Sequence, residues 1–446
     1  MSQQLDGGGL GLLWALPFLG VLFSIALGPV AFPRAWHHHT GKIMAGWAMV
    51  VVVPLALVYS PGLAGREMAA VSVHDYPPFL ILLTALYTVT GGIRVSGNFG
   101  GTPIANTAIL AVGTLLAGWI GTTGASMLMI RGLIAANRGR TYQAHVIVFF
   151  ILLVSNIGGA LSPLGDPPLF LGYLRGVEFF WPTVHLLTPT AFTVALILIV
   201  FVALDTVLYG RERGAVQSRP HIFHIEVRGA ANLLLLSAMI ATLMVCGKVR
   251  LGELFTFAGV HVTMEALLRD SILIALTFLS YFGIARPVRA ANYFSWSPMI
   301  EVAKVFAGIF ITIVPVLAML KSGENGPFAA LLEQLESDGQ PADHMYFIIT
   351  GVLSAFLDNA PTYLVFFNAA GGDPKLLMGP LATTLVAISA GAVFMGALTY
   401  VGNAPNFMVR SVAEHMGVRM PSFFGYMAWS LAICVPIFTL VTVVFF

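Results

Sequence analysis

Asp166 and Asp358 are the two acidic residues that fall near the middle of long apolar stretches. A carboxylate inside a membrane helix costs at least ~2.5–3.5 kcal/mol, and such groups mark ion paths, proton relays or cation sites. Both stand in segments that resist a regular helix. Residues 161–169 read LSPLGDPPL, where Pro163, Pro167 and Pro168 remove backbone donors and clash with the preceding turn. Residues 400–406 read YVGNAPN, with Gly402 and Pro405 posing the same problem. Unwound backbone at that depth frees carbonyls for cations and half-helix N-termini for anions. Oxygen-bearing side chains cluster beside these breaks and at two further tips: Thr122, Thr123 and Ser126 in GTTGAS, then Asp358, Asn359 and Thr362 in LDNAPT. Carboxylate, amide, hydroxyl and carbonyl oxygens suit hard cations such as sodium. Plainer roles exist beside this one. An Asp is well suited to cap a broken half-helix. Asn156, Ser162, Thr399, Asn403 and Asn406 can serve to satisfy interrupted backbone.

The elements that must position these groups follow from hydropathy. The chain has 446 residues, 58% hydrophobic and 9% charged, against roughly 25% charged in soluble domains. This is an all-α polytopic membrane protein by composition. Its basic residues are scattered over short loops, which gives no reason to expect nucleic acid as a partner; the lipid bilayer is the expected one. The opening MSQQLDGGG lacks Lys and Arg, so no signal peptide is expected. At about 20 apolar residues per crossing, full spans fall near 10–31, 44–63, 78–97, 144–175, 186–209, 229–247, 270–285, 300–320, 380–411 and 422–446. Two apolar segments, about 104–136 and 345–371, are too long and too polar at their centres for one crossing. Each reads as a re-entrant helical hairpin, and 144–175 and 380–411 read as broken helices.

An internal repeat organises the chain. ALSPLGDPPLFL (160–171) and ALTYVGNAPNFM (397–408) share five of twelve residues at an offset of 237. GTTGAS (121–126) and LDNAPT (357–362) lie at a nearly equal offset of 236. Duplicated units of this kind are a mark of secondary transporters. Five crossings separate the two hairpins, and an odd number makes the repeats inverted. The division is a tail (1–9), a first repeat (10–209), a linker (210–228) and a second repeat (229–446). Loops split into sets carrying thirteen and seven basic residues. The richer set is cytoplasmic by the positive-inside rule, which turns both termini outward.

Other charged groups read more plainly. Glu301 and Lys304 sit one helical turn apart, as an interfacial ion pair or as a gating or coupling pair. Arg131, in the outgoing arm of the first hairpin, either snorkels to the cytoplasm or balances a site carboxylate. His37, His38 and His39 read as a basic headgroup loop, and Asp205 as a span-end residue reaching water. Cys246 and Cys434 read as packing residues, with no disulfide or zinc site.

The run SNIGGALSPLGDPP with GTTGAS, LDNAPT and TYVGNAPN resembles the ion transporter superfamily. Within it the resemblance is closest to NhaD-type sodium/proton antiporters and a neighbouring citrate transporter-like set. The resemblance implies a homodimer in a bacterial inner membrane. Each protomer would have a scaffold domain and a transport domain, and would move its cargo by an elevator-like shift. By matching position it carries ion sites to Thr122, Thr123, Ser126, Asn156, Ser162 and Asp166, and to Asp358, Asn359, Thr362, Thr399 and Asn403. Asp166 and Asp358 would be the sodium-binding carboxylates. The Ser-Asn-Thr tips of the dicarboxylate branch are missing here. The leading expectation is therefore exchange of sodium or lithium for protons, with no cofactor beyond those ions. The alternative is sodium- or proton-coupled transport of citrate or another anion. An intramembrane aspartyl protease would need Gly-x-Gly-Asp, but Pro163 stands at the first glycine position. A passive channel fits the paired hairpins poorly.

Overall fold

A computed structural model describes residues 5–97, 100–212, 225–283, 286–292, 294–337 and 340–446. Residues 1–4 of the tail and 213–224 of the linker lie outside the described residues, as does Asp338. The chain is mostly helical, with three short two-stranded ribbons among the described residues, one of them Glu253–Phe257 paired with Val260–Thr263. Among the described residues ten helices are long and apolar enough to cross a membrane. The count equals the expected one, but its membership differs. Pro103–Ile120, one arm of a hairpin, is among the ten, whereas Ala382–Leu398 falls among shorter apolar helices because a break follows it.

Helix starts follow local chemistry. Pro33, Pro61, Pro103 and Pro167 occupy first-turn positions, where a missing N–H costs nothing. Ser60 and Thr102 cap their helices through the N–H groups of Leu63 and Ala105. Two sequence readings are corrected here. His38 and His39 belong to the helix Pro33–Val58, not to a loop, because Pro33 starts that helix early. The stretch between the expected spans 44–63 and 78–97 is helical too: Pro61–Ala70 runs through a π turn, Val71–Asp75, into Tyr76–Gly91.

Both expected hairpins are helix–turn–helix units. Pro103–Ile120 and Thr122–Ala136 meet at Gly121; Asp343–Leu357 and Asn359–Ala369 meet at Asp358. Both broken helices are interrupted where expected. Ala144–Leu153 passes through a 3-10 turn, Ile157–Leu161, to Pro167–Leu174. Ala382–Met395 passes through Gly396–Leu398 to Ala404–His415. The first break is deeply buried: the window Ala144–Leu161 is 94% buried inside the protein against 17% for the unbroken His38–Val58. Both cysteines are buried and unbonded to each other.

Asp205 is a correction. It is fully buried rather than reaching water. Arg140 Nη2 donates to its Oδ1 at 2.5 Å, His145 Nε2 lies 2.8 Å from the same oxygen, and Asn106 Nδ2 donates to Oδ2 at 3.1 Å. Asn106 and Asn137 exchange amide hydrogen bonds at 2.8 and 2.9 Å. This cluster ties both ends of the first hairpin to the first broken helix and to the helix Trp181–Gly210. Removing one partner of a buried pair strands the other charge. Asp205→Ala is therefore expected to destabilise the chain by about 3–5 kcal/mol, read as a lowered thermal unfolding midpoint in detergent.

Candidate functional site

The two tips and the two breaks converge. A cavity of about 80 Å³ is lined by Gly121–Gly124 of the first tip, Pro163–Pro167 of the first break, Asp358 of the second tip, and Asn403 and Ala404 of the second break. Its opposite wall is apolar: Leu82, Leu83, Leu86 and Tyr87 from one helix, Met299, Val302 and Phe306 from another. That space exceeds the ~10–15 Å³ one water needs. Among the described residues no Lys, Arg or His lines it.

Asp166 is the centre of the polar side. Its Oδ1 accepts from Thr122 Oγ1 and from Asn403 Nδ2, both at 2.9 Å, and its Oδ2 accepts from Asn359 Nδ2. Three elements besides its own thus aim donors at one carboxylate. It holds the N-cap position of Pro167–Leu174 with extended backbone, yet its side chain makes no cap bond. The capping role proposed for a break aspartate fails at this position. It holds at Asp358, whose Oδ1 accepts from Asn359 N at 2.8 Å. Asp358 also sits at φ 75° and ψ 143°, a conformation that essentially only glycine adopts. Gly121, at the first tip, has φ 83° and ψ 146°.

That coincidence corrects the tip alignment. The offset is 237 at both motifs, so Gly121 matches Asp358 and Thr122 matches Asn359. The hydrogen bonds repeat at the same offset. Ser162 Oγ donates to Gly118 O, and Thr399 Oγ1 donates to Ala355 O at 2.5 Å. Leu164 N and Val401 N then donate to those hydroxyls, each at 3.2 Å. Ser162 and Thr399 accordingly hold each break against its hairpin and do not line the cavity. A β-carbon at Gly159 would lie 2.9 Å from Asp166 Cβ, so the glycine pair in SNIGG lets the first break fold under its own aspartate.

The remaining expected residues divide. Thr122, Thr123, Asp166, Asp358 and Asn403 line the cavity, and Asn359 reaches it through Asp166. Thr362 Oγ1 donates to Asp358 O at 2.7 Å, bracing the tip. Ser126 shares a 2.8 Å hydrogen bond with Ser155, and neither lines the cavity. Asn156 Nδ2 donates to Ile151 O and, at 2.7 Å, to Asn406 Oδ1. Asn406 Nδ2 donates to Gly396 O and Thr399 O, both at 2.9 Å. This link between the breaks fixes both amides and leaves Asn156 Oδ1 buried without a donor among the described residues. Asn359 Oδ1 likewise has none among them. A buried amide oxygen with no hydrogen-bond donor is a natural cation ligand.

Sequence reasoning left Ser155 unnamed and gave no notice of the apolar wall, whereas Asn406 was named for the interrupted backbone that its amide does satisfy. The ion pair expected between Glu301 and Lys304 is absent among the described residues. Glu301 Oε1 instead accepts from Trp36 Nε1 at 3.1 Å, while the exposed Lys304 lays its stem against Gly41. Neither lines the cavity. Arg131 Nη1 donates to Asn292 O at 2.6 Å, which docks the first hairpin on the loop before Ser297–Thr312.

Residues 7–446 match the family described as "Putative citrate transport". An uncharacterized transporter of Mycobacterium tuberculosis is 27% identical over 295 residues, covering 62% of this chain and 61% of that protein. The uncharacterized transporter of Mycobacterium bovis matches to the same extent. The aligned region therefore spans less than two thirds of these curated relatives.

Proposed function

This chain belongs to the family described as "Putative citrate transport", and we propose that within it the protein exchanges sodium or lithium for protons across the membrane. The observation that carries this reading is the pairing of two carboxylates, Asp166 and Asp358, on one cavity that no Lys, Arg or His lines among the described residues. A polyanion there would meet negative charge without a counter-ion. A small hard cation would meet carboxylate, hydroxyl and amide oxygens, including the donor-free Oδ1 of Asn359. Competition of sodium and protons for the same carboxylates couples the two fluxes.

Alternating access is assigned to an elevator-like shift of the two hairpins and two broken helices along the apolar wall. The repeated dihedral angles and hydrogen bonds at the offset of 237 support a duplication behind it, and the odd number of crossings expected between the hairpins makes it an inverted one in this reading. In this reading the protein is a homodimer of the bacterial inner membrane with both termini outside, as the resemblance and the charge asymmetry of its loops imply. Arg131, bonded to the loop before one wall helix, is assigned to gating. Glu301 and Lys304, on that wall helix, are the weaker candidates for coupling.

The family description favours a second reading, coupled transport of citrate with the aspartates holding the coupling cation. Purified protein in liposomes separates the two. A pH-sensitive dye inside the vesicles should respond to imposed sodium or lithium gradients and stay silent with citrate. Accumulation of labelled citrate without sodium-driven proton movement would replace the first reading with the second.

A further inference from the structure

We propose that a second cavity, between the helices Trp181–Gly210 and Phe423–Phe445, binds an anionic phospholipid, with Arg419 on its phosphate and an acyl chain along the row Val200, Leu204, Leu208. The inference rests on the membrane-spanning fold alone and not on which cargo the protein moves.

This cavity holds about 550 Å³, room for an organic group rather than a single ion. It shares no lining residue with the cavity of Asp166. Its rim is built by two loops, each fixed locally. The helix Ala404–His415 runs into a stop at Gly417, whose φ of 89° suits glycine. Gly417 N donates to Glu414 O at 3.0 Å and Val418 N to Ala413 O at 2.9 Å, which closes that helix end. Ser422 then caps Phe423–Phe445 through Gly425 N at 3.2 Å. Arg419 lies between these two fixed points and lines the cavity. Across from it, Glu212 accepts from Thr141 N and Tyr142 N at 3.0 and 3.1 Å and pins the loop before the first broken helix.

The lining is complementary to a phosphodiester. Among the described residues no Asp or Glu lines the cavity, and the Arg419 guanidinium has no hydrogen-bond or ion-pair partner. The acids behind the lining are already engaged: Asp205 by Arg140, Asn106 and the cavity-lining His145, and Glu212 by the loop it pins. Guanidinium groups suit phosphate oxygens. Tyr142 and Trp429 also line the space, and rings with one polar edge belong at headgroup depth. The other half of the lining is apolar, where a bare anion would be desolvated without return. Leu204 and Leu208 continue to the exposed Val200, each a helical turn apart on one face. Toward their other ends the same two helices meet, with the Phe192 and Phe445 rings 5.6 Å apart. A phosphate that carries hydrocarbon chains satisfies both halves of the lining. Basic pockets between spans, on the face that the positive-inside rule makes cytoplasmic, recur as sites for anionic headgroups.

The test is native mass spectrometry of the full chain in detergent, with dioleoyl phosphatidylglycerol and dioleoyl phosphatidylcholine in competition. The chains are identical, so only the headgroup differs. Phosphatidylglycerol should be retained roughly fivefold better, the scale of one basic side chain at an anionic surface. Arg419→Gln should remove that preference; Arg419 is exposed, so the variant is expected to fold. Arg34→Gln, an exposed cation on another helix, should leave it intact. A photoactivatable phosphatidylglycerol should label peptides covering 200–208 and 417–429 of the unaltered chain, which reads the site without any variant. No headgroup preference, a preference intact in Arg419→Gln, or labelling spread evenly over other spans overturns the site. Inorganic phosphate alone should leave the unfolding midpoint where it is, whereas phosphatidylglycerol should raise it. An equal rise with phosphate would mark a site for the free anion and overturn the lipid. Failure of sodium–proton exchange in liposomes would remove the functional reading without deciding this one.

Discussion

Asp166→Asn is expected to abolish sodium-dependent proton movement and to lower the thermal stability of the chain at the same time. Aspartate accepts three hydrogen bonds from Thr122, Asn403 and Asn359. Asparagine is nearly the same size, but one of its two terminal groups is a donor. At least one of the three partners would then face a donor across a buried contact, at a cost of about 1–3 kcal/mol. The cation loses more, since the charge itself is gone. Removing one partner of a buried charge interaction costs about 3–5 kcal/mol, which is roughly a hundredfold or more in a binding constant. Two measurements check this: dye-reported proton movement in liposomes and the unfolding midpoint in detergent. Exchange at the wild-type rate in Asp166→Asn would remove the carboxylate from the mechanism. A transport defect with no change in midpoint would mean that the three donors do not hold Asp166 as described.

Asp358 offers the opposite pairing of stability and function. Its φ of 75° and ψ of 143° place a residue with a β-carbon in glycine's territory, which costs on the order of 1–3 kcal/mol. The matching position in the first repeat is a glycine, Gly121, so the same turn is built there without that strain. The strain persists at the second tip alone, where the side chain points a carboxylate into the cavity wall. Asp358→Gly is therefore expected to unfold no lower than the wild type, and by about 1 kcal/mol higher where relief of strain exceeds the lost cap bond to Asn359 N. Its sodium–proton exchange should nonetheless be lost. Asp358→Asn separates the causes. It keeps the strain and an oxygen for the cap, loses only the charge, and should be equally inactive. Retained exchange in Asp358→Gly would show that the tip needs its turn and not its carboxylate. A large loss of stability in the same variant would refute the account of strain.

Much of the site was legible because the broken segments announce themselves. Proline and glycine inside apolar runs forbid a regular helix whatever surrounds them, and membrane burial forbids leaving the freed groups unpaired. Ser162, Asp166, Thr399 and Asn403 could be named on that basis. The tip alignment slipped by one residue because GTTGAS and LDNAPT share no residue at either register, leaving nothing in the letters to fix it. Backbone angles fixed it, through the positive φ shared by Gly121 and Asp358. Asp205 and Glu301 were misplaced for a different reason. Their partners, Arg140, His145 and Asn106 in one case and Trp36 in the other, are at least 60 residues away along the chain. Hydropathy carries no information about such pairings.

Sequence alone determined the kind of molecule this is, where its helices break, and which oxygens are forced to find partners at depth. Those are local matters, set by chain chemistry within a few residues and by the bilayer's refusal of unpaired polar groups. Tertiary structure alone decided that Asp166 and Asp358 line one cavity, that Ser162 and Thr399 brace the breaks from behind, and that an apolar wall closes the far side. The reason is geometric. A carboxylate becomes a site only through the distances to groups brought from elsewhere in the chain, and packing sets those distances.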